Sequence, residues 1–89
     1  MVEIISGNPY EEDGDLRTFY SSVKSDELVW HRDDQDRLVT VMEGQGWQFQ
    51  FNGSLPIELR VDKKFMIPKD MYHRIIRGKT KLVLRVEKI

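Results

Sequence analysis

Residues 29–46 read VWHRDDQDRLVTVMEGQG and place a histidine and a carboxylate two positions apart, at His31 and Asp33. In an extended segment both side chains point the same way, because side chains alternate between the two faces of a strand. The other histidine of the chain, His73, follows the apolar run at residues 65–68. Two histidines and one carboxylate that meet at a point form the facial triad of non-haem Fe(II) oxygenases. His31, Asp33 and His73 are therefore candidate metal ligands.

Strand and turn signals alternate over most of the chain. Predicted strands cover residues 28–33, 37–43, 47–51, 55–61, 64–67, 72–77 and 82–87. Turn residues separate them, most clearly Asn52-Gly53. Short strands at intervals of about 8–12 residues are typical of an all-β sandwich or barrel.

The first part of the chain is less regular. Residues 1–6 are expected to form a short strand, and residues 10–14 an acidic turn or loop. Leu16, Phe19 and Tyr20 have the spacing of one helical turn, but the segment Thr18-Phe19-Tyr20 also suits a strand. Both interpretations stay open here.

Composition excludes several classes of function. The 89 residues suffice for one small domain, and with no cysteine there is neither a disulfide nor a thiolate site. The 14 basic and 15 acidic residues give a net charge of −1, which does not indicate a nucleic-acid partner. No apolar run is long enough to span a membrane. Residues 1–7 lack a basic signal-peptide segment, so we expect a cytoplasmic protein.

The order of these residues resembles the two sequence motifs of the cupins, which are small jelly-roll β-barrels. His31 and Asp33 fall on the His-x-His pair of the first motif, and Gly44 falls on its closing glycine. Pro68 and His73 fall on the second motif, Pro-x-Gly-x-x-His, with its spacing intact. The resemblance is strongest over residues 28–87. It implies one all-β, cupin-like jelly-roll domain over residues 1–89, and a homodimer.

Five positions depart from the motifs. Asp33 stands where the family has its second histidine, and Arg37 stands where it has a glutamate ligand. Aspartates at 62 and 70 replace glycines, and Arg77 replaces an asparagine. A guanidinium is always protonated and cannot bind a metal ion. The departure at Arg37 therefore removes one ligand of the metal site that the resemblance implies.

Three residues are candidates for a ligand pocket: Arg37, Trp47 and Tyr72. A guanidinium inside a small barrel can bind a carboxylate or a phosphate. Trp47 and Phe49 alternate with amide side chains along a predicted strand, which also suits a place in the core. Tyr72, next to His73, either closes the pocket mouth or packs on a neighbour.

Two kinds of function stay open. In one, the protein is a non-catalytic or accessory module that binds a small, polar or anionic molecule between His31, Asp33, Arg37 and His73. In the other, it is a metal-dependent oxygenase or isomerase. The resemblance then implies Fe, Mn, Ni or Zn bound to His31, Asp33 and His73, with Arg37 holding an anionic substrate. The residues leave open whether a metal binds, since Asp33 can instead pair with Arg37 across the turn.

Overall fold

The computed structural model describes residues 9–24 and 28–89. Within these ranges the chain forms eight strands and no helix. The strands are β1 Glu11–Asp13, β2 Leu16–Phe19, β3 Arg37–Glu43, β4 Gln48–Phe51, β5 Ile57–Glu58, β6 Lys64–Ile67, β7 His73–Ile76 and β8 Leu82–Lys88. The strand predicted over residues 1–6 lies outside the described residues. The described part contains no helix long and apolar enough to cross a membrane.

Two antiparallel sheets make up the structure. The larger sheet has the order β1-β2-β8-β3-β6, and the smaller has the order β5-β4-β7. The long strands β3 and β8 pair with each other from Arg37–Lys88 to Glu43–Val83. The antiparallel pairing confirms the prediction of an all-β fold.

The core lies between the inner faces of the two sheets. Every second residue of β8 is buried, as the period of a strand requires. Phe49 of the smaller sheet packs against Phe65 of the larger sheet, with 4.8 Å between the ring centroids. The buried apolar side chains are Phe19, Val23, Val39, Val41, Trp47, Phe49, Leu59, Ile67, Leu82, Leu84 and Val86.

Three stretches differ from the sequence prediction. Residues 11–13, expected to be a loop, form β1, because they pair with β2 in a hairpin. Residues 28–33, expected to be a strand, form a single bridge at His31. The predicted strand at residues 55–61 shortens to Ile57–Glu58. The undecided segment at residues 16–19 is a strand, since its backbone bonds to β8.

Asp62 and Asp70 have the backbone conformation of glycine. Their φ angles are +76° and +64°, and they occupy the two positions where the resembled motif has glycine. The amide of Asp62 donates to the carbonyl of Val41, and the amide of Asp70 donates to that of Asp33. Aspartate adopts the left-handed conformation more readily than most residues. These substitutions therefore leave the path of the backbone intact.

Replacing Asp70 with valine is expected to lower the free energy of unfolding by about 1–2 kcal/mol, because a β-branched residue is strained at positive φ. Asp70→Gly should change it by less than about 1 kcal/mol. Urea unfolding of both variants measures this. Asp34 is exposed and has no positive φ, so Asp34→Val is a matched control. Equal losses in Asp70→Val and Asp34→Val would contradict the strain argument.

Candidate metal and ligand site

A cavity of about 350 Å³ opens between the two sheets. Its walls are mainly apolar, with Val39, Phe49, Phe65, Ile67, Leu84 and Val86 among the lining residues. Polar side chains also line it, among them the group His31, Asp33, Arg37 and His73. An apolar cavity with a few convergent polar groups is the usual form of a small-molecule site.

Backbone hydrogen bonds bring the two sequence motifs together. The amide of His31 donates to the carbonyl of His73 over 3.0 Å, and the amide of His73 donates to that of His31 over 2.9 Å. Two residues further along, the amide of Asp70 donates to the carbonyl of Asp33 over 2.7 Å. The segment that carries His31 and Asp33 is thus fastened to the start of β7 without forming a strand of its own.

The aspartate at position 36 holds the next part of this segment. One of its carboxylate oxygens accepts a hydrogen bond from the amide of Lys69 at 2.8 Å. Its backbone carbonyl accepts another from the amide of Ile89 at 3.1 Å. Asp36 therefore ties the turn before β3 to the loop before β7, which aligns both motifs at the cavity.

Both histidines are held in the same tautomer. Nδ1 of His31 donates to the carbonyl of Val29 at 2.9 Å, and Nδ1 of His73 donates to that of Met71 at 2.8 Å. A neutral ring with its proton on Nδ1 has its lone pair on Nε2. Both rings thus have a free Nε2, and hydrogen bonding of the other nitrogen is the usual support of a metal-binding histidine.

The three candidate ligands converge as predicted. One ligand atom from each of His31, Asp33 and His73 lies within 4.8 Å of the others. Nε2 of His73 is 3.5 Å from Oδ2 of Asp33, and the two imidazole rings are 4.3 Å apart between centroids. Bonds of about 2.0–2.2 Å put the ligand atoms of a tetrahedral ion about 3.3–3.6 Å apart. The Nε2–Oδ2 distance of 3.5 Å already matches this spacing, and the widest pair of ligand atoms would have to close by about 1 Å to hold a divalent ion.

Arg37 stands beside this cluster. Its side chain is nearly buried, and its Nη1 lies 3.8 Å from Oδ1 of Asp33. That distance gives an ion pair but is too long for a hydrogen bond. The Nε–H group is buried and has no acceptor among the described residues. The expected pairing with Asp33 is therefore present, and it leaves hydrogen-bonding capacity of the guanidinium unused.

His73 is the buried polar residue of the core, with 2% of its surface exposed. Burial lowers the pKa of His73 below its ordinary value of 6.5, because the imidazolium loses its hydration. The charges of His31 and Arg37 act in the same direction, whereas the Met71 carbonyl and the Asp33 carboxylate oppose it. The ring is thus kept neutral, as metal binding requires.

A second arginine lines the cavity, Arg17 on β2. The sequence does not predict a place for Arg17 in the cavity, because residues 16–20 suit a helical turn and a strand equally. The signal lies in the alternation along β2, where Arg17 and the buried Phe19 share a face. Pairing of Arg17 with Leu84 of β8 places both side chains on the inner face of the large sheet.

The structure places Trp47 and Tyr72 outside the lining of this cavity. Trp47 is fully buried, its Nε1 donates to the Thr80 carbonyl, and its ring lies against Gly78 with no room for a Cβ there. Tyr72 is 44% exposed and borders a shallow depression with Trp30. Tyr72 points outward because side chains alternate along an extended chain and the next residue, His73, faces inward.

Comparison with known proteins supports the fold and leaves the function open. No model of a known protein family matches the sequence, and no curated protein matches it. The structure is similar to the crystal structure of a cupin-2 domain-containing protein from Shewanella frigidimarina, with a TM-score of 0.54 and 25% sequence identity. The match covers 89% of this chain and 76% of that one. The protein has the fold of a small cupin domain, with a histidine–aspartate–histidine cluster in its cavity.

Acidification is expected to destabilise the metal-free protein. Since the pKa of His73 is lower in the folded state, the unfolded chain binds more protons as the pH falls through about 6.5. The free energy of unfolding then decreases, by at most about 1.4 kcal/mol per pH unit from this group. Urea unfolding with a chelator present, over a pH series below neutrality, should give a smaller slope for His73→Gln than for the wild type. Equal slopes for the variant and the wild type would mean that protonation of His73 does not contribute to the loss of stability in acid.

Proposed function

We propose that the protein is a non-catalytic module that binds a small anionic molecule in its cavity. The observation that carries this proposal is the buried Nε–H of Arg37, which lacks an acceptor among the described residues. The anion would be a carboxylate or phosphate attached to an apolar body. Its charged group would lie at Arg37, and its body would lie against the apolar walls.

The charge and the hydrogen-bond donors of Arg37 favour an anion. A buried donor without an acceptor costs about 1–3 kcal/mol, and more when the group is charged. Asp33 balances the charge of Arg37, but at 3.8 Å it does not accept a hydrogen bond. A carboxylate can accept two parallel N–H bonds from one guanidinium. An anionic ligand would therefore recover interactions that this arginine lacks.

The size and the lining of the cavity favour a small ligand with an apolar body. Its volume of about 350 Å³ is near the lower end of the roughly 300–1,000 Å³ found for ligand pockets. The walls include Phe49, Phe65 and Ile67, which gain from contact with an apolar ligand. A small amphiphilic acid suits this volume and these apolar walls better than a sugar does, because the hydroxyl groups of a sugar would find few hydrogen-bond partners there.

Arg37→Met is expected to abolish the binding of small anions while keeping the fold, because methionine fills similar space without a charge. Thermal unfolding and titration calorimetry with hexanoate, benzoate and inorganic phosphate measure this. At least one probe should stabilise the wild type and leave the variant unaffected, with about a tenfold or larger loss of affinity.

Arg32→Met is the matched control, because it removes the same charge from an exposed arginine outside the cavity. It should bind the probes as the wild type does. Equal losses of anion affinity in both variants would mean that the effect comes from the net charge of the protein and not from the cavity. Absence of stabilisation by every probe would overturn the proposal.

A second candidate function rests on the orientation of the two histidines. Their free Nε2 atoms, together with the carboxylate of Asp33, would hold an ion such as Fe, Mn, Ni or Zn. The ion would supply Lewis-acid or redox chemistry to an oxygenase or isomerase. Arg37 would then bind the anionic substrate beside it, and the apolar walls would exclude water.

Arg37→Glu is expected to tighten Mn(II) and Zn(II) binding, because it removes a nearby cation and adds the carboxylate ligand of the cupin motif. Arg37→Met separates the two effects, since it removes the cation alone and should give a smaller gain. Titration calorimetry on chelator-treated protein measures both. Unchanged affinity in Arg37→Glu would mean that this side chain does not reach the ion.

A matched pair of aspartates controls this measurement. Asp33→Asn should lose about tenfold or more in metal affinity, and Asp34→Asn, at the exposed neighbouring position, should lose none. Equal behaviour of the two variants would exclude the cluster as the metal site.

The homodimer, the cytoplasmic location and the lack of nucleic-acid or membrane partners stay predictions from the sequence and the family resemblance. Sedimentation velocity of the purified chain would measure the first of them.

A further inference from the structure

We propose that the natural ligand is a dianion whose two acidic groups are joined by an apolar spacer. One acidic group would lie at Arg37 and the other at Arg17. This inference rests on the proposed function and extends it, because it assigns a role to the second guanidinium of the cavity and names a class of ligand: linear dicarboxylates or compounds with the same charge spacing.

Strand register sets the two arginines apart. Arg37 begins β3 and pairs with Lys88 of β8, whereas Arg17 of β2 pairs with Leu84 of the same strand. The two rows are separated by about 14 Å along β8, at about 3.4 Å per residue. Since β8 lies between β2 and β3, the arginines are also about 10 Å apart across the sheet. One small acid group cannot contact both guanidinium groups unless they bend toward each other.

The surface between the arginines is apolar. Val39 and Val86 form the paired row next to Arg37, and Leu84 lies beside Arg17. All three side chains are buried and line the cavity. A ligand that spans the two arginines would therefore place methylene groups, not polar atoms, over this surface.

The charges around Arg17 leave it available for an anion. Its guanidinium lies 4.7 Å from the centre of the Tyr10 ring, which holds it in place. Its Nε is 3.5 Å from Oε2 of Glu12, whose side chain is 49% exposed. The Arg17 side chain is 17% exposed, so the pair is partly open to water, and ion pairs open to water contribute little. Among the described residues lining the cavity, Asp33 is the acidic one, and it lies with Arg37.

The test compares mono- and dicarboxylates of equal length, such as hexanoate with hexanedioate and octanoate with octanedioate. Titration calorimetry with the full chain should show that one dicarboxylate binds about tenfold more tightly than its monocarboxylate. Arg17→Met should remove this gain, so that the dicarboxylate binds no more tightly than its monocarboxylate. Arg37→Met should weaken both classes of ligand.

Two further variants make the test specific. Glu12→Gln should increase the gain from the second carboxylate, because it removes the competitor of the ligand at Arg17. Arg85→Met is the matched control, since Arg85 is exposed on the outer face of β8 and pairs with Asp15 in the same manner. It should leave the gain unchanged.

The outcomes separate this inference from the proposed function. If monocarboxylates bind through Arg37 and no dicarboxylate binds more tightly than its monocarboxylate, the proposal of a dianion is overturned. The proposal of a binding module then remains. A gain that persists in Arg17→Met, or an unchanged gain in Glu12→Gln, would also overturn the proposal of a dianion. Failure of every carboxylate to bind would overturn both proposals.

Discussion

The site depends on a reciprocal pair of backbone hydrogen bonds between His31 and His73. The first motif is fastened to the second by these two bonds, by the one from the Asp70 amide to the Asp33 carbonyl and by the one from the Lys69 amide to the Asp36 carboxylate. The two motifs continue into β3 and β7, which belong to different sheets that pack face to face. A longer strand pairing therefore does not form between the motifs. The bridge therefore sets the separation of the two imidazoles, while the sheets set the shape of the cavity.

Arg37 and the histidine cluster impose opposing demands on one small cavity. A divalent ion bound to His31, Asp33 and His73 would lie a few ångströms from a guanidinium, and the repulsion in a partly buried site is on the order of kcal/mol. An anion placed between them relieves that repulsion and occupies the unused donors of Arg37. Metal binding and anion binding are therefore expected to favour each other, since each ligand neutralises what opposes the other.

The sequence predicts the strands with strong alternation, and it predicts that His31, Asp33 and His73 come together. It fails for segments whose structure is decided by their pairing partners. β3 and β8 follow directly from their β-branched and alternating residues. The segment at residues 28–33 has strand-like residues, but a single bridge at His31 does not make a strand. Alternation along residues 16–19 puts Arg17 and Phe19 on one face, but only the pairing with β8 shows that this face turns toward the cavity. Pairing of this kind is tertiary information that no single segment contains.

The departures from the cupin motifs divide according to what each position requires. Positions 62 and 70 require a left-handed backbone, and an aspartate supplies it at modest cost, so the loops keep their hydrogen bonds. Position 37 requires a lone pair if it is to bind a metal, and no conformation of arginine supplies one. A fold made of backbone bonds therefore tolerates these substitutions, whereas the chemistry of its cavity changes with a single side chain. The change at Arg37 puts a hydrogen-bond donor where the cupin motif has an electron-pair donor.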